Sequence, residues 1–433
     1  MASSNLSDFK TTYIQSAIDK LLAADISGSS ADSSFILSGA LFKMLANVVA
    51  TSDDTFNNLS VVAGVEWDQV ADSYNVLGSN YSYYDTIRPC LVTPGNEGAG
   101  DVTLNPYDYT HDTTGYKVAL DGSQGQVMMR FPQLFYDYEY LANTHSWRIS
   151  NRPETGYALH PAFMKGGVEV PYRYVGIYPA CGYDVSEATY VDGDGVNSWL
   201  DKTNDKLGSV VGFKPLSNFT RAQGRAMAAN VGTGWQMMDF WLYAMMKLLY
   251  ITKHADLDSQ SVLGAGNTRW SGGFDFETMI SATGKVLSID APGQSTLYGN
   301  AGDYCNLLGI ENPFGDIWEF VDGWNILDGA NYVCSDPADF ADNTTTNYAQ
   351  FGSTNPTSSG WQNLMQPNVA MLPASVGASD ATKFCDYYSY ASGWRVALVG
   401  GGAGSGSDAG LSSLDADGAS SGARSYGGGR LCF

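Results

Sequence analysis

The sequence predicts an α+β protein: an N-terminal helical segment, a β-rich middle region and a C-terminal domain of β structure with long loops. Three observations predict it. Apolar residues recur at helical spacing within the first fifty residues and again over 220–250. Between Leu59 and Pro179, short β-branched and aromatic runs are separated by Pro, Gly and Asn clusters. From Val262 onward helical periodicity fades, and Gly-rich turns alternate with short apolar runs.

Taken in order, Phe9, Ile14, Ala17, Ile18, Leu21 and Leu22 fall near helical spacing. A second run over 35–49 carries Ile36, Leu37, Ala40, Leu41, Met44, Leu45 and Val48. Two such short helices bury little alone, so residues 1–55 read either as an ordinary helical layer or as an attachment and oligomerisation segment. A small β-rich domain is expected over 56–125 and a third domain over 126–433. Strands are expected at 61–68, 126–131 and 172–178. Thr220 followed by Gln223 has the form of a capping box, opening a helix that stops near Gly232 or Gly234. A second helix carries Trp235, Met238, Trp241, Leu242, Met245, Leu248 and Leu249 on one broad face, which reads as core packing.

Composition excludes several functions. The 433 residues are 13% aromatic and 16% charged, with a net charge of −22. Such a surface repels phosphate backbones, and no Lys/Arg cluster offsets it, so nucleic acid is not an expected partner. The opening MASSNLSD has no basic region followed by an apolar core, so neither a signal peptide nor a lipid anchor is expected. The apolar run beginning at Phe240 is interrupted by Lys247, so membrane insertion is not expected either. Cys90, Cys181, Cys305, Cys334, Cys385 and Cys432 form no CxxC pair and read as buried thiols. His111, His145, His160 and His254 lack metallohydrolase spacing, and His160 reads as structural. Asp192, Asp194 and Asn197 alternate like calcium ligands but lack the later Glu of an EF-hand, so a solvated acidic turn is expected. No catalytic residues, metal ligands or cofactor are assigned.

The C-terminal segment is the most informative. Strands are expected at 395–399 and 430–433, paired, with a Gly-rich excursion over about 400–428 pinned by Leu411 and Leu414. A flexible tail would not carry Ala409, Leu411 and Leu414 in its middle or finish on Leu431, Cys432 and Phe433. From Arg395 to the end there is no Lys, Glu, Gln, Met or Trp, although all five occur earlier. Small and polar residues with Arg424 and Tyr426 are the menu of adaptable binding loops, in which Tyr gives contact area at low entropy cost.

These residues resemble a known group. GIENPFGDIWEFVDG, from Gly309 to Gly323, is similar to the segment marking C-type-lectin-like domains of the formylglycine-generating-enzyme type. GWRVALVGG from Gly393, AGL from Ala409 and GRL from Gly429 resemble the variable proteins of diversity-generating retroelements. Upstream, GVEWD from Gly64, GQVMMRFP from Gly125, HPAF from His160 and the stretch from Thr220 to Trp235 resemble phage tail proteins carrying that domain, of the major tropism determinant-like kind. The likeness covers roughly residues 60–433.

The resemblance implies a C-type-lectin-like domain within 126–433. It implies a phage tail-tip receptor-binding protein, displayed on the virion as a homotrimer among other tail proteins and recognising a protein or glycan on a bacterial surface. Adenine-directed mutagenesis in this family yields products that omit the five missing residue types. On this likeness the diversified, ligand-binding positions are Ala403, Gly404, Ser405, Asp408, Ser412, Ser413, Asp415, Asp417, Gly418, Gly422, Arg424 and Tyr426. Leu411, Leu414, Gly429 and Arg430 would be scaffold. Two alternative readings are a host-encoded surface-display protein of the same fold and a formylglycine-generating or glycan-active enzyme. Cys385 and Cys432 are too far apart to match the close Cys pair of the former enzymes. Glu311, Asn312 and Pro313 have the letters of the calcium-lectin sugar motif in another order, and are read as core hydrogen bonding.

Overall fold

The computed structural model describes residues 62–79, 83–270, 274–294, 300 and 302–433. The helices expected within 1–55 lie outside the described residues.

Two helices organise the centre. Helix α1 (Arg221–Ala229) opens with the expected capping box. The Thr220 hydroxyl accepts the Gln223 N–H, and the Gln223 side chain accepts the Thr220 N–H at 2.9 Å. Helix α2 (Phe240–His254) starts later than predicted, because Asp239 caps it by accepting the Leu242 N–H at 2.9 Å. Trp235 and Met238 therefore precede the helix, and Gln236–Met237 is a short strand. The apolar surface of α2 is also wider than one face: Tyr243, Ala244, Met246, Tyr250 and Ile251 are buried along with Leu242, Met245, Leu248 and Leu249. A helix buried on nearly every side sits inside a core rather than on its surface.

Three main sheets surround it. In the first, Val62–Asp68 lies between Ser73–Ser79 and Thr144–Ser150, with Phe135–Leu141 and Ala158–Leu159 beyond. In the second, Gln126–Pro132 lies between Arg88–Val92 and Tyr172–Gly176. The third is mixed. Trp394–Gly400 runs antiparallel to both Trp318–Leu327 and Gly410–Ala416, and Tyr387–Tyr390 runs parallel to Gly410–Ala416. All three sheets contribute to one apolar cluster, including Trp67 and Trp147, Met129 and Phe131, and Trp324 and Val399 with α2 among them.

Two expectations are corrected. Residues 56–125 and 126–433 do not separate: Arg88–Val92 pairs with Gln126–Pro132 across the expected boundary, and Val61–Phe433 forms one compact unit. Nor do the strands at 395–399 and 430–433 pair. The last strand, Leu431–Cys432, joins the second sheet between Tyr172–Gly176 and Gln236–Met237, whereas Trp394–Gly400 is held in the third.

Arg430 bridges these two sheets from a fully buried position. Its Nε and Nη2 donate to the Glu319 carboxylate at 3.1 and 2.6 Å. Nη1 donates to the Gly176 and Ile177 carbonyls at 3.0 and 3.2 Å, and Nη2 to those of Glu311 and Asn312 at 3.0 and 2.7 Å. A buried guanidinium is tolerable only when its donors are satisfied and its charge is paired. Arg221 and Arg173 follow the same pattern, the first on Asp342 and the Val321 carbonyl, the second on Asp239 and the Phe433 carbonyl.

Arg430→Ala should therefore destabilise the protein by about 3–5 kcal/mol, since it strands the Glu319 carboxylate and four carbonyls in the interior. Urea unfolding measures this, and a change within about 0.5 kcal/mol of wild type would contradict the bridging role.

Candidate functional site

The C-terminal segment is built as loop, strand, loop. At the exit from Trp394–Gly400 the chain turns through Gly401 (φ 82°), where a Cβ would lie 2.6 Å from that of Ala409. The first loop runs over 401–409. Gly410–Ala416 is then a buried strand, with Leu411 and Leu414 in the core as expected of scaffold positions. The second loop runs over 417–426, and Gly427–Gly428 pairs parallel to Trp318 and Glu319. The excursion is thus shorter than expected: strand bonds on both sides claim its middle.

That strand divides the expected ligand-binding positions. Gly404 and Asp417 are exposed, and Ser405, Asp408, Gly422, Arg424 and Tyr426 are half-buried. A Cβ on Gly404 would meet nothing within 4 Å, so this position can take other side chains. Ala403, Ser412, Ser413, Asp415 and Gly418 are buried, against the expectation of a free face. Ala403 packs with Phe276, Met279, Ile280 and Ile317. Ser412 donates its N–H to Asp386 at 2.7 Å, and its carbonyl accepts from Gln362 at 2.6 Å. The Ser413 hydroxyl donates to the Asp408 carbonyl at 2.8 Å. A Cβ on Gly418 would lie 3.1 Å from Leu398.

Aromatic residues that sequence spacing does not bring there adjoin the two loops. The main-chain N–H of Trp270 donates to the Ala403 carbonyl at 3.0 Å, and that of Trp318 to the Tyr426 carbonyl at 2.8 Å. Tyr426 meets Phe274 edge to face, with centroids 5.8 Å apart. A Cβ on Gly402 would lie 3.4 Å from the Trp318 ring, which places that indole beside the first loop as well. Trp270, Phe274 and Trp318 are each half-buried.

Charge fixes the second loop. Arg424 donates to Asp415 at 2.9 Å and to Asp417 at 3.1 Å, and its guanidinium lies 5.6 Å from the Tyr426 ring centroid. Burial pushes the Asp415 carboxyl up to about 6, and neighbouring Asp417 adds to this, while Arg424 pulls it back. The chain bends at Asp417, whose N–H is accepted by Asp415 at 2.8 Å. Arg424 and Tyr426 are thereby held in place before any ligand arrives, which lowers the ordering cost of binding.

The other motifs are structural. Asp194 accepts the Val196 N–H at 2.8 Å and that of Asn197, closing a turn, and Lys214 donates its N–H to Asp192 at 2.8 Å. Glu311 accepts the backbone N–H groups of Gly284, Lys285 and Val286, and Asn312 accepts that of Cys305. His160 is buried as an N-cap, and desolvation pushes it down to about 3. All six cysteines are buried free thiols, and burial pushes both Cys385 and Cys432 up to about 12. Among the described residues, no group of three or more His, Cys, Asp or Glu could hold a metal ion, and no helix is long and apolar enough to cross a membrane.

Because the Asp415 pKa is raised above its ordinary value, this group favours the folded state most below about pH 4, and that contribution is lost as pH rises through about 6. Arg424→Ala removes the one cation opposing the shift, so the Asp415 midpoint should move above 6. Carboxyl titration by NMR with labelled Asp checks this, and an unchanged or lowered midpoint would contradict the arrangement.

No protein-family model matches this chain, and no curated protein matches it in sequence.

Proposed function

We propose that this chain is a phage tail-tip receptor-binding protein whose 401–409 and 417–426 loops form the recognition face of a C-type-lectin-like domain. The reading starts from the family likeness of the C-terminal motifs. One observation carries it further: two loops of small residues, with half-buried Arg424 and Tyr426 held in place, leave a fully bonded strand and adjoin the half-buried aromatics Trp270, Phe274 and Trp318. Rigid aromatic and arginine anchors amid small polar neighbours are the composition of an adaptable binding surface. A trimer presenting several copies would turn weak single-site binding into avidity for a cell surface.

This reading narrows the diversified set. Gly404, Ser405, Asp408, Asp417, Gly422 and Tyr426 are the positions free to vary, whereas Arg424 is tied to the buried Asp415. Ala403, Ser412, Ser413, Asp415 and Gly418 are constrained by packing or by hydrogen bonds.

Replacing Ser405, Asp417 and Tyr426 together should change which bacterial strains the purified protein binds. Stability should stay within a few tenths to about 1 kcal/mol of wild type. Ser413→Tyr should instead destabilise by about 1–3 kcal/mol through overpacking. Binding to a strain panel and urea unfolding measure the two effects. Unchanged strain preference in a folded threefold variant would remove the proposal. A reverse-transcriptase gene beside a near-copy of the final codons, differing only at adenines, is the matching genomic observation.

A further inference from the structure

A hollow of about 320 Å³ lies apart from the 401–409 and 417–426 loops, and none of its lining residues falls within 394–428. It forms where Gln126–Pro132 begins, beside a small sheet of Cys181–Asp184, Thr189–Val191 and Lys206–Gly208. Its volume is at the small end of the roughly 300–1,000 Å³ typical of ligand pockets, about the scale of one sugar ring.

The walls are set in advance. Tyr190 accepts from Gln126 Nε2 at 2.8 Å, and Gln126 Oε1 is committed to the Ser209 N–H at 2.7 Å. Tyr190 packs so closely on Gly122 that a Cβ there would lie 2.2 Å from the ring. Tyr183 meets Tyr190 edge to face, with centroids 4.9 Å apart. Two fixed phenol rings thus form one side of the hollow.

The unused polar groups are donors. Gln124 Oε1 accepts the Ala119 N–H at 2.9 Å, which leaves its Nε2 free to donate. The Tyr183 hydroxyl has no hydrogen-bond partner among the described residues. Lys206 lies 5.9 Å from the Tyr183 ring centroid and forms no ion pair among the described residues. In a chain of net charge −22, a half-buried lysine facing a hollow without a carboxylate partner is a position for an external anion. Aromatic walls with a cation and an amide donor fit a ligand that is both ring-shaped and acidic.

We propose that this hollow binds the carboxylate-bearing sugar residue of a surface polysaccharide. The sugar ring lies against Tyr183 and Tyr190, and its carboxylate takes hydrogen bonds from the Lys206 ammonium and Gln124 Nε2. Being outside the variable segment, the site supplies a constant first contact with an acidic glycan coat, and it stands whether or not the variable loops bind a receptor.

Titrating the full chain with methyl β-glucuronide, methyl β-glucoside and inorganic phosphate by ligand-observed NMR tests this. The glucuronide should bind at roughly millimolar Kd, with the glucoside and phosphate at least about tenfold weaker. Lys206→Gln and Gln124→Ala should each weaken glucuronide binding by about tenfold, whereas Lys117→Gln, which removes the same charge elsewhere, should not. Gln124 is on an exposed loop, so its variant decides the matter if Lys206→Gln does not fold. No glucuronide binding, equal affinity for the glucoside or for phosphate, or undiminished binding by the Gln124→Ala variant would each overturn the proposal.

Discussion

The Arg430 guanidinium is the constraint on which the C-terminal architecture depends. It sits at zero exposure, three residues from the last, and reaches Glu319 and four main-chain carbonyls. Those carbonyls belong to 176–177 and 311–312, so one side chain fixes the end of the chain against two distant segments. Lysine could not do this, because only the planar fork pairs with a carboxylate while also serving carbonyls on its other edges. Burial raises the Glu319 carboxyl above its ordinary range and Arg430 acts against that, so each charge is tolerable only in the presence of the other.

With both ends of the segment held, the loops between them have freedom without disorder. The first leaves from Gly400 and returns at Gly410, the second leaves from Ala416 and returns at Gly427, and the strand between is bonded on each side. The Arg424 contacts with Asp415, Asp417 and Tyr426 then set the second loop into one shape. The buried Asp415 is the costly element here: its carboxylate is desolvated and lies next to another acid, with a single arginine to offset both.

Much of this was legible in the sequence, and the failures share a cause. The capping box at Thr220, the strand at 126–131, the buried thiols and the scaffold roles of Leu411, Leu414 and Arg430 follow from local chemistry or from short motifs, and the structure carries them. The start of α2 was misplaced because Trp235 and Met238 fit the helical period, while the Asp239 cap decides where the helix begins. The boundary at 125 and the pairing of 395–399 with 430–433 failed because both are questions of long-range partnership, which apolar spacing does not encode. The same holds for the site. Composition marked the loop but could not tell Ser405, which is half-buried, from Ser413, which is fully buried. Nor could it bring Trp270, Phe274 and Trp318 beside residues more than eighty positions later in the chain.

Among the described residues, the Gly410–Ala416 strand keeps the 401–409 and 417–426 loops out of each other's hydrogen-bond networks. A substitution in one loop therefore leaves the bonding of the other untouched, and the number of loop sequences the frame tolerates grows as the product of two small sets rather than being limited by their joint compatibility.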